Sequence, residues 1–151
     1  MSKAKFTPEQ IAFIDEFVVL LAPRGMPPSV GRLYGYLMLC SDPTSLDQMA
    51  EDLDMAKSSA SVAARLLESA KLVCRHTQPG TKRVLYSLSE NPAGLLAEQS
   101  SSLQNLGELL ERQAQVVATG AVQMRMEHMA DFYLNMRKNL EQAIANWAQP
   151  K

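Results

Sequence analysis

Thr7-Pro8-Glu9-Gln10 supplies an N-cap residue, a proline at the first helical position and a glutamine placed to reach back to the cap. The helix it opens, Ile11 to about Leu21, has Ile11, Phe13, Ile14, Phe17, Val18, Leu20 and Leu21 on nearly every side. Such a helix has to be covered all round. Pro23-Arg24-Gly25-Met26-Pro27-Pro28 ends it, and Ser29 is placed to cap a second helix running to about Cys40. That helix has Val30, Leu33, Tyr34, Leu37 and Ser41 on one stripe, and Asp42-Pro43-Thr44 reads as a turn after it.

Ser45-Leu46-Asp47-Gln48 reads as a second capping box, opening a short helix whose stripe is Leu46, Met49, Ala50 and Leu53. Asp54-Met55-Ala56 interrupts the pattern for one tight turn. From Lys57 to about Ala70 a further helix puts Ser59, Ala63, Leu66, Leu67 and Ala70 on one face. Ser58, Ser61 and Arg65 fall opposite, with Lys57 at the edge and Val62 at the margin. Leu72–Thr77 and Val84–Leu88 read as strands joined by Gln78-Pro79-Gly80-Thr81-Lys82-Arg83, a turn with two cations at its tip. After Asn91-Pro92, the residues Leu96, Leu103, Leu106, Leu110, Ala114 and Val117 mark a long helix. Val122, Met126, Met129, Tyr133, Met136, Leu140, Ile144 and Trp147 mark another, in a cadence close to a heptad seam, with Thr119-Gly120 as the joint. The expected class is mainly α with a small β-hairpin wing (α+β). The expected units are 1–28, an N-terminal helix; 29–90, a winged helix-turn-helix; and 91–151, a helical segment.

Composition narrows the function classes. A chain of 151 residues with 46% hydrophobic content supports one compact domain, or a small domain with a helical appendage. The longest apolar stretch, Ile11 to Ala22, is broken by Asp15 and Glu16 and is too short to span a bilayer. No apolar signal core follows the first residues, and two cysteines, Cys40 and Cys74, make no disulfide framework. A cytoplasmic protein without membrane contact is the expectation.

The formal net charge of -1 hides a strong local asymmetry. Residues 42–54 carry Asp42, Asp47, Glu51, Asp52 and Asp54 with no base. Residues 57–83 carry Lys57, Arg65, Lys71, Arg75, Lys82 and Arg83 against Glu68 alone. That concentration of cations suits either a solvated basic face or an anionic partner.

Helix, tight turn, helix and a hairpin with a basic tip is the order of a winged helix-turn-helix. Its second helix must bury one face and offer short polar and cationic side chains to a major groove. Short serines let the backbone approach base edges, and Arg65 is suited to a guanine edge or a phosphate. Lys82 and Arg83 are placed to follow the DNA backbone or enter the minor groove. The candidate DNA-contacting residues are Lys57, Ser58, Ser59, Ser61, Arg65, Arg75, Thr81, Lys82 and Arg83.

The stretch from Leu53 to Val73, LDMAKSSASVAARLLESAKLV, resembles the helix-turn-helix of MarR-type regulators. Gly31-Arg32-Leu33-Tyr34-Gly35-Tyr36-Leu37 and Asp131-Phe132-Tyr133 are similar to the GbsR-like branch. The resemblance implies a homodimeric DNA-binding transcription regulator, usually a repressor and often released by a small ligand, with the chain ends forming the dimer interface. The residues assigned to that interface are Ile14, Phe17, Leu21, Leu103, Leu110, Tyr133, Met136, Leu140, Ile144 and Trp147. The chain departs from the family pattern at three places. Ala56 stands where Ser or Thr usually caps the recognition helix, Lys71 replaces the usual Gly after it, and Thr81 replaces an acid at the wing tip. Losing the cap costs about 1 kcal/mol, and a non-Gly residue at positive φ is mildly strained.

Other chemistry finds little footing. Gly31-x-x-x-Gly35 is a helix-packing pattern rather than a phosphate loop, and no nucleophile elbow or metal spacing occurs. No enzymatic role, cofactor or metal is expected. Met124, Met126, His128 and Met129 read as packing and interface residues rather than a soft-metal site. The same methionines, with Tyr34, Tyr36, Tyr133 and Trp147, are candidates to line an effector pocket. Cys40 and Cys74 read as buried structural thiols, Cys74 beside Arg75 and His76 being the better redox candidate. The alternative function is a winged-helix protein–protein adaptor. Bases on the recognition helix and wing favour nucleic acid, and an apolar outward face would favour a protein.

Overall fold

The computed structural model of the chain describes residues 6–148. The chain divides into two compact units between Glu90 and Asn91. In the first, helix α1 (Pro8–Leu21) starts on the expected capping box, with the Thr7 hydroxyl accepting from the Gln10 N–H and the Gln10 side chain accepting from the Thr7 N–H. It packs on α2 (Pro28–Met38) at the two glycines of that helix. A Cβ at Gly31 would lie 3.3 Å from Val18 Cγ2, and one at Gly35 would lie 3.4 Å from Phe17. The spacing Gly31-x-x-x-Gly35 therefore works as a close-approach surface between helices.

Within the single chain, α1 is covered on one side. Ile14 and Leu21 are buried, whereas Val19 and Leu20 are 70% and 72% exposed. The second helix also begins and ends earlier than its sequence suggested. Pro27, not Ser29, is the residue before it, because Pro28 has the φ of a first helical position, and the helix closes at Met38 rather than Cys40. Ser41 thus lies outside the helix.

Residues 42–45 give a further correction. Thr44–Ser45 forms a short strand, β1, in place of the expected turn, and pairs antiparallel with β3 (Val84–Leu88). With β2 (Val73–Thr77) the wing is a three-stranded antiparallel sheet of order β1-β3-β2. Two residues have no strand signal of their own; pairing of Thr44 with Tyr86 and Ser45 with Leu85 defines them. The β2–β3 register runs from Val73↔Leu88 at the base to Thr77↔Val84 at the tip.

Ser45 then caps α3 (Leu46–Leu53) by accepting from the Gln48 N–H. The reciprocal half of the expected box is absent: the Gln48 side chain donates to Asp52 Oδ1 at 2.9 Å instead. Asp52 also accepts from the Tyr36 hydroxyl at 2.6 Å, and Arg32 Nη2 donates to the Leu53 carbonyl. These bonds fasten α3 to α2. Desolvation, then the hydrogen bond to Asp52, raises the Tyr36 pKa far above the ordinary tyrosine value, so its hydroxyl stays a donor.

The second unit is a helical hairpin of α5 (Ala97–Val117) and α6 (Gly120–Ala148). Gly107 lets the helices close: a Cβ there would lie 2.6 Å from Leu134 Cγ. Ser100 donates to Glu141 at 3.2 Å, and Arg137 pairs with Glu141 at 2.7 Å. Ser100 opposite Glu141 and Gly107 opposite Leu134 give an antiparallel pairing.

Candidate nucleic-acid interface

The turn between α3 and α4 (Lys57–Ser69) is held by backbone geometry. Asp54 takes the left-handed conformation, φ 51°, while its N–H donates to the Glu51 carbonyl and the Met55 N–H to the Ala50 carbonyl. This closes α3 as a Schellman motif and redirects the chain within one turn. Helix α4 closes the same way, with Lys71 at φ 62° and bonds from Lys71 to Glu68 and from Leu72 to Leu67. Lys71 thus takes the strained conformation that its place after the helix implied. Ala56 supplies no side-chain cap, which leaves the first N–H groups of α4 free to meet an anion.

Burial fixes which way α4 faces. Ala60, Ala63, Ala64 and Leu67 are buried. At about 100° per residue, the direction opposite them passes through Ser58, Arg65, Val62 and Ser69. The helix is therefore turned by roughly 65°, less than one residue step, from the sequence expectation. Ser59 and Leu66, read as inward, are exposed, and Ser61, read as outward, is half-buried. Three alanines and Leu67 take the inward face, where α4 packs on both α2 and α3.

Of the cations, Arg65 is exposed on the outward face of α4, Arg75 on β2, and Lys82 and Arg83 between the two wing strands. No acidic partner engages these four among the described residues. Lys57 differs: its Nζ lies 2.9 Å from Asp47 Oδ1, with both side chains mostly exposed. Thr81 braces the wing turn in place of an ion pair. Its hydroxyl donates to the Gln78 carbonyl at 3.2 Å and accepts from the Arg83 N–H at 3.3 Å, while Gly80 turns the chain at φ 81°. Arg83 also borders a polar cleft of about 360 Å³ with Cys40, Asp42, Ser45 and Gln48. The face thus joins a helix bearing short hydroxyls and one guanidinium to a braced cationic wing within one unit. Two features escaped the sequence reading: the Asp47–Lys57 pair, which needs α3 and α4 side by side, and the outward turn of Leu66.

No protein-family profile matches the chain, and none of the curated proteins is similar to it. Solved structures are. A crystal structure of a transcriptional regulator superposes with a TM-score of 0.72 at 22% identity, covering 95% of this chain and 100% of that one. The fold is that of a winged helix with an added helical hairpin. The crystal structure of the transcriptional regulator SlyA is matched over 89% of this chain and 90% of its own, at 17% identity and a TM-score of 0.41.

The remaining sequence expectations are distributed as follows. Ile14 and Leu21, assigned to a dimer interface, are already buried in the chain's own core, and Phe17 is half-buried against Tyr34 at a ring distance of 5.3 Å. The apolar groups α1 leaves open are Ile11, Phe13, Val19 and Leu20. Leu103, Leu110, Tyr133, Leu140 and Ile144 are half-buried in the hairpin, whereas Met136 and Trp147 are exposed. Tyr34 and Tyr36 are buried core residues. Cys40 is half-buried; Cys74, expected to be buried, is exposed on β2. Among the described residues no cluster of metal ligands occurs, and no helix is long and apolar enough to cross a membrane.

Proposed function

We propose that this chain is a sequence-specific DNA-binding transcription regulator that acts as a homodimer on a pseudo-palindromic operator. The outward face of α4, with Ser58 and Arg65 beside the unpaired Lys82 and Arg83 of the wing, carries the reading. Such a face offers phosphates cationic partners and offers base edges short hydroxyls and a guanidinium. On this reading residues 29–90 form the DNA-binding domain, and the N-terminal and C-terminal helices form the dimer. The GbsR-like residues Gly31 to Leu37 and Asp131-Phe132-Tyr133 support placement in that branch of MarR-type regulators, a cytoplasmic repressor released by a small ligand.

A second copy is the partner best suited to the helical hairpin. The exposed Val122, Met129, Phe132, Met136 and Trp147 form one stripe of α6, and Leu106, Leu109 and Val117 form one of α5. At about 100° per residue, each stripe is displaced from its helix's buried arc by a similar angle in the same sense. In antiparallel helices that puts both stripes on one side of the hairpin. The α6 stripe alone runs about 37 Å at 1.5 Å per residue, and an exposed apolar patch of this kind commonly marks an interaction site.

Selection of bound sequences from a random duplex pool tests the proposal. The expected product is a two-fold symmetric site whose half-sites are centred about 34–36 Å apart, one turn of DNA. A pool that shows no enrichment over many rounds refutes it. One observation favours the adaptor instead: Val62 and Leu66, both about half exposed, give α4 an apolar component. An adaptor would enrich no duplex.

A further inference from the structure

Val62 is the apolar residue of α4 closest to its outward direction, and electrostatics does not explain it. It is 51% exposed and lies within about 30° of the direction opposite the buried arc. Its neighbours one turn away are Ser58 and Ser59 before it and Arg65 and Leu66 after it. Core packing does not account for it, because Ala60, Ala63, Ala64 and Leu67 supply the inward contacts. Helix propensity does not either, since valine is among the weaker helix formers. Val62 also stands in the first half of α4, the part of a recognition helix that reaches base edges.

The major-groove edges of unmodified bases present one apolar group, the C5-methyl of thymine. Every other edge offers donors or acceptors, and a branched aliphatic group pressed on those would strip water from them and return no hydrogen bond. Ser58 and Ser59 are small enough for the helix to come close, which brings the two γ-methyls of Val62 within reach of the groove floor. We propose that Val62 is a specificity-determining residue that selects thymine in each half-site through its methyl group, beside the contact made by Arg65. This rests on the DNA-binding reading above.

The test separates the two ideas. Duplexes selected by the parent protein are remade with deoxyuridine in place of each conserved thymine in turn, which deletes the methyl and leaves base pairing intact. Affinities are then measured for the parent and for Val62→Ala, whose exposed position and good helix former preserve the fold, as circular dichroism checks. The expected result is one symmetry-related thymine whose replacement weakens the parent roughly fourfold per half-site, the worth of one buried methyl, and leaves Val62→Ala unaffected. If uracil is tolerated everywhere, or weakens parent and variant equally, Val62 does not read thymine, and the regulator reading stands. If no duplex is selected at all, both fall.

Discussion

Lys57 Nζ sits 2.9 Å from Asp47 Oδ1, joining the first residue of α4 to the first turn of α3. Both side chains are mostly exposed, so solvent screening leaves the pair worth at most about 1 kcal/mol of stability. Its effect on a polyanion is larger, because Lys57 cannot neutralise a phosphate while Asp47 holds it and adds its own repulsion. Asp47→Asn is expected to tighten duplex binding and to steepen the log–log salt slope by about one per subunit, with stability lowered by no more than about 1 kcal/mol. An unaltered slope in a salt titration would mean that Lys57 takes no part in phosphate contact.

Arg65→Ala and Lys82→Ala remove unpaired cations and bury nothing, so both variants are expected to fold normally and bind more weakly. With Arg65, Lys82 and Arg83 each reaching a phosphate in both subunits, the parent slope is expected near about -5, a loss of roughly a thousandfold between about 50 and 200 mM salt. Each single variant should flatten it by about two per dimer. Fluorescence anisotropy across a salt series reads this directly, and parent-like binding by both variants would remove these residues from the site.

Tyr36 couples α2 to α3 through Asp52, and its raised pKa has a signed consequence. The unfolded chain ionises tyrosine near its ordinary value of 10.0, while the folded chain holds Tyr36 neutral. The stabilisation is therefore complete below about pH 10 and is lost as pH rises above it, by up to about 1.4 kcal/mol per pH unit. Tyr34, raised by burial, acts in the same direction. Chemical denaturation at pH 8 to 11 should show falling stability. In Tyr36→Phe the fall should be shallower, after a loss of about 1–3 kcal/mol at neutral pH from the missing hydrogen bond.

Phe132 and Met136 lie on the exposed stripe of α6. Phe132→Asp and Met136→Asp are expected to leave secondary structure intact and to shift the protein from dimer to monomer at micromolar concentration in analytical ultracentrifugation. Operator affinity should fall with it, since two half-sites no longer bind as one. A parent protein that sediments as a monomer under the same conditions would refute the dimer.

Local chemistry was legible in the sequence. Thr7 and Gln10 announced a capped helix, Ser45 announced another, Asp54-Met55-Ala56 marked the helix-turn-helix turn, and Pro79-Gly80 marked the wing. Each signal is carried by residues within one turn of one another, so the chain needs no distant partner to express it. Gly31 and Gly35 announced a helix contact, although not with which helix.

Tertiary structure decided whatever depends on a distant partner. Thr44–Ser45 is a strand only because Tyr86 and Leu85 lie beside it. The facing of α4 was ambiguous because alanines carry little hydrophobic signal, and close packing on α2 and α3 chose Ala60 and Ala64 over Leu66 for the interior. The heptad-like seam of α6 was one pattern in sequence and splits in space: Met126, Tyr133, Leu140 and Ile144 are half-buried, Val122, Met129, Met136 and Trp147 stay exposed, and Leu134, outside the seam, is the residue that meets Gly107 of α5. A helical period records which residues share a side, whereas the neighbour that covers that side is set by contacts far apart along the chain.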